Sequence, residues 1–238
     1  MTTPLTQPAT PTRFPKGVGT RKRPDPLYNF GHPDPTDYNR FFDDFHTYTS
    51  GQWTASVTGT GAAALTAGDG GLLALATSGA SSDTVYLQKT TECFSFQANK
   101  PMWFKARIRV DALTCVINLG LQVTTATPAT ATDGIYFLST TGTGAVTTIC
   151  RQNTTTGSTS GTGIQLVANT FTDLAWYWDG KSEVQYYQDG VQKGTLTGIT
   201  ASNFLPDTTA TPSAGIITNS AAIRTLTVDY ILAAKARR

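Results

Sequence analysis

"FTDLAWYWDGKSEVQYYQDGVQKGTL" (residues 171–196) contains the pair Asp-Gly twice, at Asp179-Gly180 and again at Asp189-Gly190. Asp-Gly tolerates the positive φ angles that tight hairpins require, so the stretch predicts two successive hairpins and hence a three-stranded antiparallel meander. Side chains alternate along the first of these strands, which sends Leu174, Trp176 and Trp178 toward a core.

The same period of two recurs on either side. "MWFKARIRV" (102–110) puts Phe104, Ala106, Ile108 and Val110 on one face and Lys105, Arg107 and Arg109 on the other. "CVINLGLQV" (115–123) turns Ile117, Leu119, Leu121 and Val123 inward, and "RTLTVDYIL" (224–232) does so with Leu226, Val228, Tyr230 and Leu232. Alternation of this kind needs a sheet with one covered face. Further strands are predicted near 53–58, 71–76, 83–88, 133–140, 145–151, 163–168 and 213–219, whereas no run of helical period extends for three turns. The 44 threonines favour the same reading. The expected fold class is therefore all-β, a two-sheet antiparallel sandwich. Two low-complexity stretches, 124–133 and 153–163, are expected to form an exposed, flexible rim.

Ahead of the sandwich lies a segment of different texture. Eight of the twelve prolines fall in residues 1–35, and residues 1–40 hold six basic side chains against three aspartates. Proline lacks an N–H and fixes φ, so this segment builds neither a helix nor a central strand. The chain accordingly divides into an extended arm, 1–40, and a sandwich domain, 41–238, that closes on a short basic tail of Lys235, Arg237 and Arg238. Between the basic ends, residues 41–234 carry nine basic and thirteen acidic groups. Two basic ends on an acidic body suggest an electronegative neighbour. A short basic run without a recognition fold gives only salt-sensitive contact with nucleic acid, so no nucleic-acid partner is expected.

Cys93, Cys115 and Cys150 form no C-x-x-C and have no His at metal spacing, so they are expected to be buried free thiols made in a reducing cytoplasm. No apolar signal core opens the chain and no apolar run approaches the ~20 residues of a membrane helix, so no membrane association is expected.

G-x-S-x-G, H-E-x-x-H, the phosphate-binding G-x-x-x-x-G-K-[ST] and a strand-to-helix G-x-G-x-x-G are all missing from the sequence. His32 lies in the proline-rich segment, and His46, in "FFDDFHTY", reads as a hydrogen-bonded strand residue. Glucanases use a sandwich of this kind with carboxylates on one face of an E-x-D-x-E strand. Glu92 and Glu183 are the only glutamates here and neither begins that pattern. Asp43 and Asp44 are adjacent, so they point to opposite faces of a strand and read as solvated carboxylates. The chain is thus expected to be no enzyme and to bind neither cofactor nor metal. Sugar binding needs less, an exposed aromatic and a few amides, for which Trp53, Trp103, Tyr136 and Tyr187 are the candidates.

The hairpins of "YWDGKSEVQYYQDGVQKGT" resemble those of the laminin-G and concanavalin-like jelly roll. "FFDDFHTYTSGQW", "DGIYFLSTTG" and "LTVDYILAAKARR" together resemble the auxiliary head proteins, or cement and decoration proteins, of tailed bacteriophages, over about residues 41–237. The resemblance implies a structural protein on the outer capsid surface of a virion, made in the host cytoplasm, binding the major capsid protein and itself as a homodimer or homotrimer. It carries over no catalytic residue. Under it the arm becomes a tether: forty residues at ~3.1–3.3 Å each reach on the order of 120 Å, against ~40 Å for the body. Phe14, Leu27, Tyr28, Phe30 and Tyr38 would be its apolar anchors, and Arg21, Lys22 and Arg23 would meet acidic capsid surface. The alternative is a lectin-like, glycan-binding module displayed on a phage particle.

Overall fold

A computed structural model describes residues 38–159 and 163–237, the side chains of 156–159 excepted. These residues form two antiparallel sheets packed face to face. Sheet A contains β1 (Tyr38–Asp43), β3 (Ala62–Thr66), β4 (Leu72–Ala76), β7 (Met102–Val110), β13 (Thr172–Trp178), β14 (Glu183–Gln188), β15 (Val191–Thr197) and β17 (Thr225–Ala236). Sheet B contains β2 (Trp53–Thr58), β5 (Thr84–Lys89), β6 (Phe94–Ser95), β8 (Cys115–Gln122), β9 (Gly134–Ser139), β10 (Ala145–Gln152), β11 (Thr155–Thr159), β12 (Ile164–Gln165) and β16 (Thr209–Thr218). The strand orders are β15-β14-β13-β7-β17-β4-β3, with β1 also on β17, and β11-β10-β9-β8-β16-β5-β2. The chain passes back and forth between the sheets, among other places at β4 to β5, β7 to β8 and β16 to β17, as in a jelly roll.

The meander is as the two Asp-Gly pairs predict. Gly180 and Asp189-Gly190 take positive φ, and the Asp179 carboxylate accepts from the backbone N–H groups of Lys181, Ser182 and Glu183 at 2.8, 2.9 and 3.0 Å. Leu174, Trp176 and Trp178 are fully buried, with Trp176 stacked on Phe104 and Phe96 set against Trp178. The indole N–H groups of Trp176 and Trp178 find no acceptor among the described residues. Each such orphan costs about 1–3 kcal/mol. Removing 150–250 Å² of ring from water at ~25 cal/mol/Å² contributes roughly 4–6 kcal/mol, so burial wins.

Three expectations change. Alternation along β17 does not run through Tyr230 and Leu232. Val228 pairs with Ile108 and Tyr230 with Arg107, so Asp229 is an extra residue, a β-bulge. Beyond it Ile231 and Ala233 take the core positions while Tyr230 and Leu232 stand on the outer face of sheet A. The bulge lies where β17 hands its second edge from β4 to β1.

The second change concerns 124–133, which is no exposed rim. This segment lies across the outer face of sheet B, with Pro128 and Ala131 buried. Gln122 Nε2 donates to the Pro128 carbonyl at 2.6 Å, Ser56 Oγ to Ala126, and Arg151 to Ala131, while Thr125 N–H donates to the Gln88 side chain. Gly120 sits opposite Tyr136 beneath this cover, and a Cβ there would come within 2.5 Å of the neighbouring strand's backbone. The third change is at 153–163, part of which forms β11. β3 and β6 were not foreseen, and of 163–168 only Ile164–Gln165 is strand.

Lys235 is no solvated tail residue: it lies in β17, 8% exposed, donating to Ser95 Oγ at 2.7 Å and Gln97 Oε1 at 3.1 Å. Cys115 and Cys150 are buried as expected, whereas Cys93 is exposed.

Candidate functional site

The outer face of β7 carries Lys105, Arg107 and Arg109 in a row, because period two separates them from the core-facing Phe104, Ala106, Ile108 and Val110. β13 places Asp173 directly opposite Arg107 on one side, and the β17 bulge brings Asp229 and Tyr230 to Arg107 on the other. A bulge re-aims a side chain that regular pleating would send elsewhere, and here it adds a carboxylate to the cationic row.

The contacts form one network. Arg107 Nη1 donates to Asp229 Oδ2, and its Nε lies 4.0 Å from Asp173 Oδ1. Lys105 Nζ stands 3.5 Å from Asp173 Oδ2, and Tyr230 OH donates to Asp173 Oδ1 at 3.1 Å. Burial, reinforced by the Asp173 charge and hydrogen bond, pushes the Tyr230 phenol far up, so it remains a donor across the ordinary pH range. Phe171, one residue before β13, packs under both arginines, whose guanidinium carbons are 4.5 Å (Arg107) and 4.8 Å (Arg109) from its ring centroid. Arg109 makes no ion pair among the described residues.

Arg107, Arg109, Phe171 and Asp229 line a half-open cleft of about 420 Å³, bounded on its far side by the β3–β4 loop at Ala67, Gly68 and Asp69, with Leu72 also in its lining. The loop, "AGDGG", needs its glycines. Gly71 has φ +96°, and a Cβ there would meet the backbone of Asp44, Phe45 and His46 at 2.6–2.7 Å. Asp69 stands exposed across the cleft from the arginines, in neither a hydrogen bond nor an ion pair with any described residue. The cleft thus offers a free donor fork, a free carboxylate and an aromatic wall on rigid strands. Its volume falls in the range of small-ligand sites.

A second polar strip runs along the outer face of sheet B. Asn118, Gln122 and Tyr136 are fully buried beneath 124–133, and Asn118 Oδ1, Gln122 Oε1 and the Tyr136 hydroxyl lack partners among the described residues. The covering segment is tied to them where Asn118 and Gln122 donate to the Pro128 carbonyl.

The residues expected from the sequence are distributed otherwise. Phe14, Arg21, Lys22, Arg23, Leu27, Tyr28 and Phe30 lie outside the described residues. Tyr38 opens β1 with its ring edge-on to Trp103 at 5.8 Å. None of the four aromatics proposed for sugar contact is exposed. Trp53 is in the core, 2% exposed, packed on Phe41 and Phe45. Trp103 and Tyr187 are covered on sheet A, and Tyr136 on sheet B. Asp43 is a turn carboxylate that accepts from Phe45 N–H and Trp53 Nε1, and His46 is an exposed bend residue 3.1 Å from Asp44. The cationic row was visible in "MWFKARIRV"; Asp229, Phe171 and Asp69 carry no sequence signal that would attach them to it.

No protein-family model matches the chain, and no curated protein sequence does. Solved structures do. A protein of unknown function from Shewanella oneidensis MR-1 superposes with TM-score 0.59 at 13% identity, over 84% of this chain and 87% of that one. A prokaryotic β-1,3-1,4-glucanase (lichenase) from a mouse hindgut metagenome gives 0.60 at 13%, over 81% and 97%. The carbohydrate recognition domain of Emp46p, in its potassium-bound form, gives 0.55 at 8%, over 80% and 93%. At such identities the likeness is one of fold, the concanavalin-like jelly roll of glucanases and lectins. It nevertheless overturns the expectation that the chain is no enzyme. That expectation rested on missing motifs, and further glucanases, a lyase and a transglycosylase share this architecture.

Proposed function

We propose that the protein binds a saccharide, seated in the cleft between Arg107, Arg109, Phe171, Asp229 and the Asp69 loop. The observation that carries this reading is Arg109: a half-buried guanidinium stacked on Phe171, with no acidic partner among the described residues, facing a carboxylate across open space. Sugars present hydroxyls that both accept and donate, and planar Arg and Asp side chains on rigid strands match them. The fold supports the reading, since similar structures are named for recognising or cleaving saccharides. The test is a glycan array probed with the purified protein and with Arg109→Gln, followed by reducing-end release from every glycan bound. Saturable binding that Arg109→Gln loses is expected; a blank array from folded protein removes the reading. Release of reducing ends would make the protein a hydrolase at the same cleft.

A second reading concerns residues 1–37, whose prolines and basic groups precede β1, a strand paired on β17 alone among the described residues. Its consecutive basic side chains Arg21, Lys22 and Arg23 suit an acidic partner surface. We propose on that composition that it ties the sandwich to a phage capsid through the major capsid protein, with self-association as dimer or trimer. Cross-linking mass spectrometry of purified virions tests this, with links from Lys16 and Lys22 to the capsid protein expected. Particles that lack the protein would end it.

A further inference from the structure

We infer that the saccharide held in this cleft is acidic, a uronate-type residue whose carboxylate is gripped by Arg109. The inference rests on the saccharide reading and adds the class of sugar to it.

The three cations of the row are not equivalent. Lys105 is engaged by Asp173, and Arg107 lies between Asp229 and Asp173, whose side chains are each 12% exposed. Those charges are satisfied within the protein. Arg109, two residues further along β7, touches the same ring but meets no anion among the described residues, so one positive charge is left at the cleft wall. A contact with an aromatic ring takes up no N–H group of a guanidinium, whose planar fork matches a carboxylate in two parallel bonds.

Asp69 narrows the class. It lines the same cleft and stands beyond ion-pair distance of Arg109. A free carboxylate there repels a second negative group and accepts hydrogen bonds from hydroxyls. A polyphosphate or a nucleic-acid strand, with charge on every unit, would set anions against Asp69 and Asp229. A uronate carries one carboxylate and several hydroxyls on one ring, so it satisfies Arg109 and Asp69 together.

The experiment is titration calorimetry with matched pairs of oligosaccharides that differ only in oxidation at the terminal carbon: β-1,4-glucuronan against cello-oligosaccharides, and oligogalacturonate against α-1,4-linked galacto-oligosaccharides. The wild-type protein should bind the acidic member of at least one pair about tenfold or more tightly than its neutral twin, as a charge-assisted bidentate contact implies. Arg109→Gln should erase the difference, Arg109→Lys should keep part of it, and Asp69→Asn should tighten acidic binding by about threefold through relief of like charge. Equal affinity within every bound pair, or a preference that survives Arg109→Gln, would overturn the acidic assignment and leave saccharide binding standing. If folded protein bound no member of any pair, both would fall. Circular dichroism of each variant confirms that the sandwich is intact; Arg109 and Asp69 lie outside the core, so their substitution leaves it packed.

Discussion

Deleting Asp229 is the most discriminating perturbation of this fold. If Asp229 is the extra residue of a bulge, its removal lets Val228 and Tyr230 follow each other in a regular strand. Ile231 and Ala233, both fully buried, stay inside, and Tyr230 and Leu232 stay outside. The loss is then the Arg107–Asp229 contact. A charge-assisted bond of this type is worth about 1.5–3 kcal/mol when shielded. Arg107 is 43% exposed, so solvent screening brings the figure down to about 1 kcal/mol. A regular ladder in place of the bulge returns part of even that. If β17 were instead regular through 229, the deletion would reverse the facing of every residue from 230 to 236 against β7 and β1. Several side chains at about 1.5–3 kcal/mol each would leave the core, a sum comparable to the roughly 5–15 kcal/mol by which a domain is stable.

Urea unfolding followed by tryptophan fluorescence separates these cases, because Trp176 and Trp178 lie in the core that the strand closes. With an m-value of about 2 kcal/mol/M, the deletion should lower the midpoint by about 0.5 M or less and leave a cooperative transition. Asp229→Ala, which keeps the bulge and removes the charge, should fall in the same range. Deletion of Ile231 is the contrast: it does shift the facing and should abolish cooperative unfolding. A deletion of Asp229 as damaging as that of Ile231 would refute the bulge, and with it the account of how the carboxylate reaches the cleft.

Two further outcomes follow from burial. Thiol reagent at mildly alkaline pH should modify Cys93 alone in the native protein, since burial raises the Cys115 thiol to about 11 and pushes Cys150 higher still; reaction of either before unfolding would contradict their placement. Stability should decline as pH rises past 10. Tyr48, Tyr86, Tyr136, Tyr177 and Tyr230 all have phenols raised by burial, so the unfolded chain releases those protons first and is favoured as pH climbs. Tyr86, pushed up to about 12, alone accounts for roughly 2 kcal/mol between pH 10 and 12. Lys235 has the opposite sign. Burial and then Lys100 lower it from 10.5, so its penalty exists while it is charged and fades toward 10.5. A titration in which tyrosinate forms near pH 10 with the fold unperturbed would show those rings to be solvated.

The inner faces were legible because hydrophobicity and turn chemistry write them twice over. Asp-Gly set the meander, and alternation set β7 and β8, so Trp176, Phe104 and Leu119 stood where the pattern put them. Alternation fails at a bulge, where spacing changes without any change in composition. Val228, Asp229 and Tyr230 read as unbroken period two, and only the partner strand's register shows the extra residue. The outer faces were legible least. A small polar segment such as 124–133 carries the composition of a solvated loop, yet its carbonyls serve Gln122, Ser56 and Arg151.

That difference decides where a ligand can sit. Both outer faces of the sandwich are partly covered by the chain itself. Sheet B is covered by 124–133, and one end of sheet A by Tyr38 and Tyr177 packed on Trp103. Along β7 that aromatic cover begins at Trp103 and is gone by Arg107, where the strand meets the bulge and the glycine loop. The interval left open is the one in which the cations stand, and there charged side chains on rigid strands face solvent across a concave wall. An aromatic on a covered face supports its neighbours. A guanidinium at the edge of that cover, braced on Phe171 and lacking an anion among the described residues, has free donors to offer. For that reason the weight of the functional reading falls on Arg109 rather than on Trp53, Trp103, Tyr136 or Tyr187.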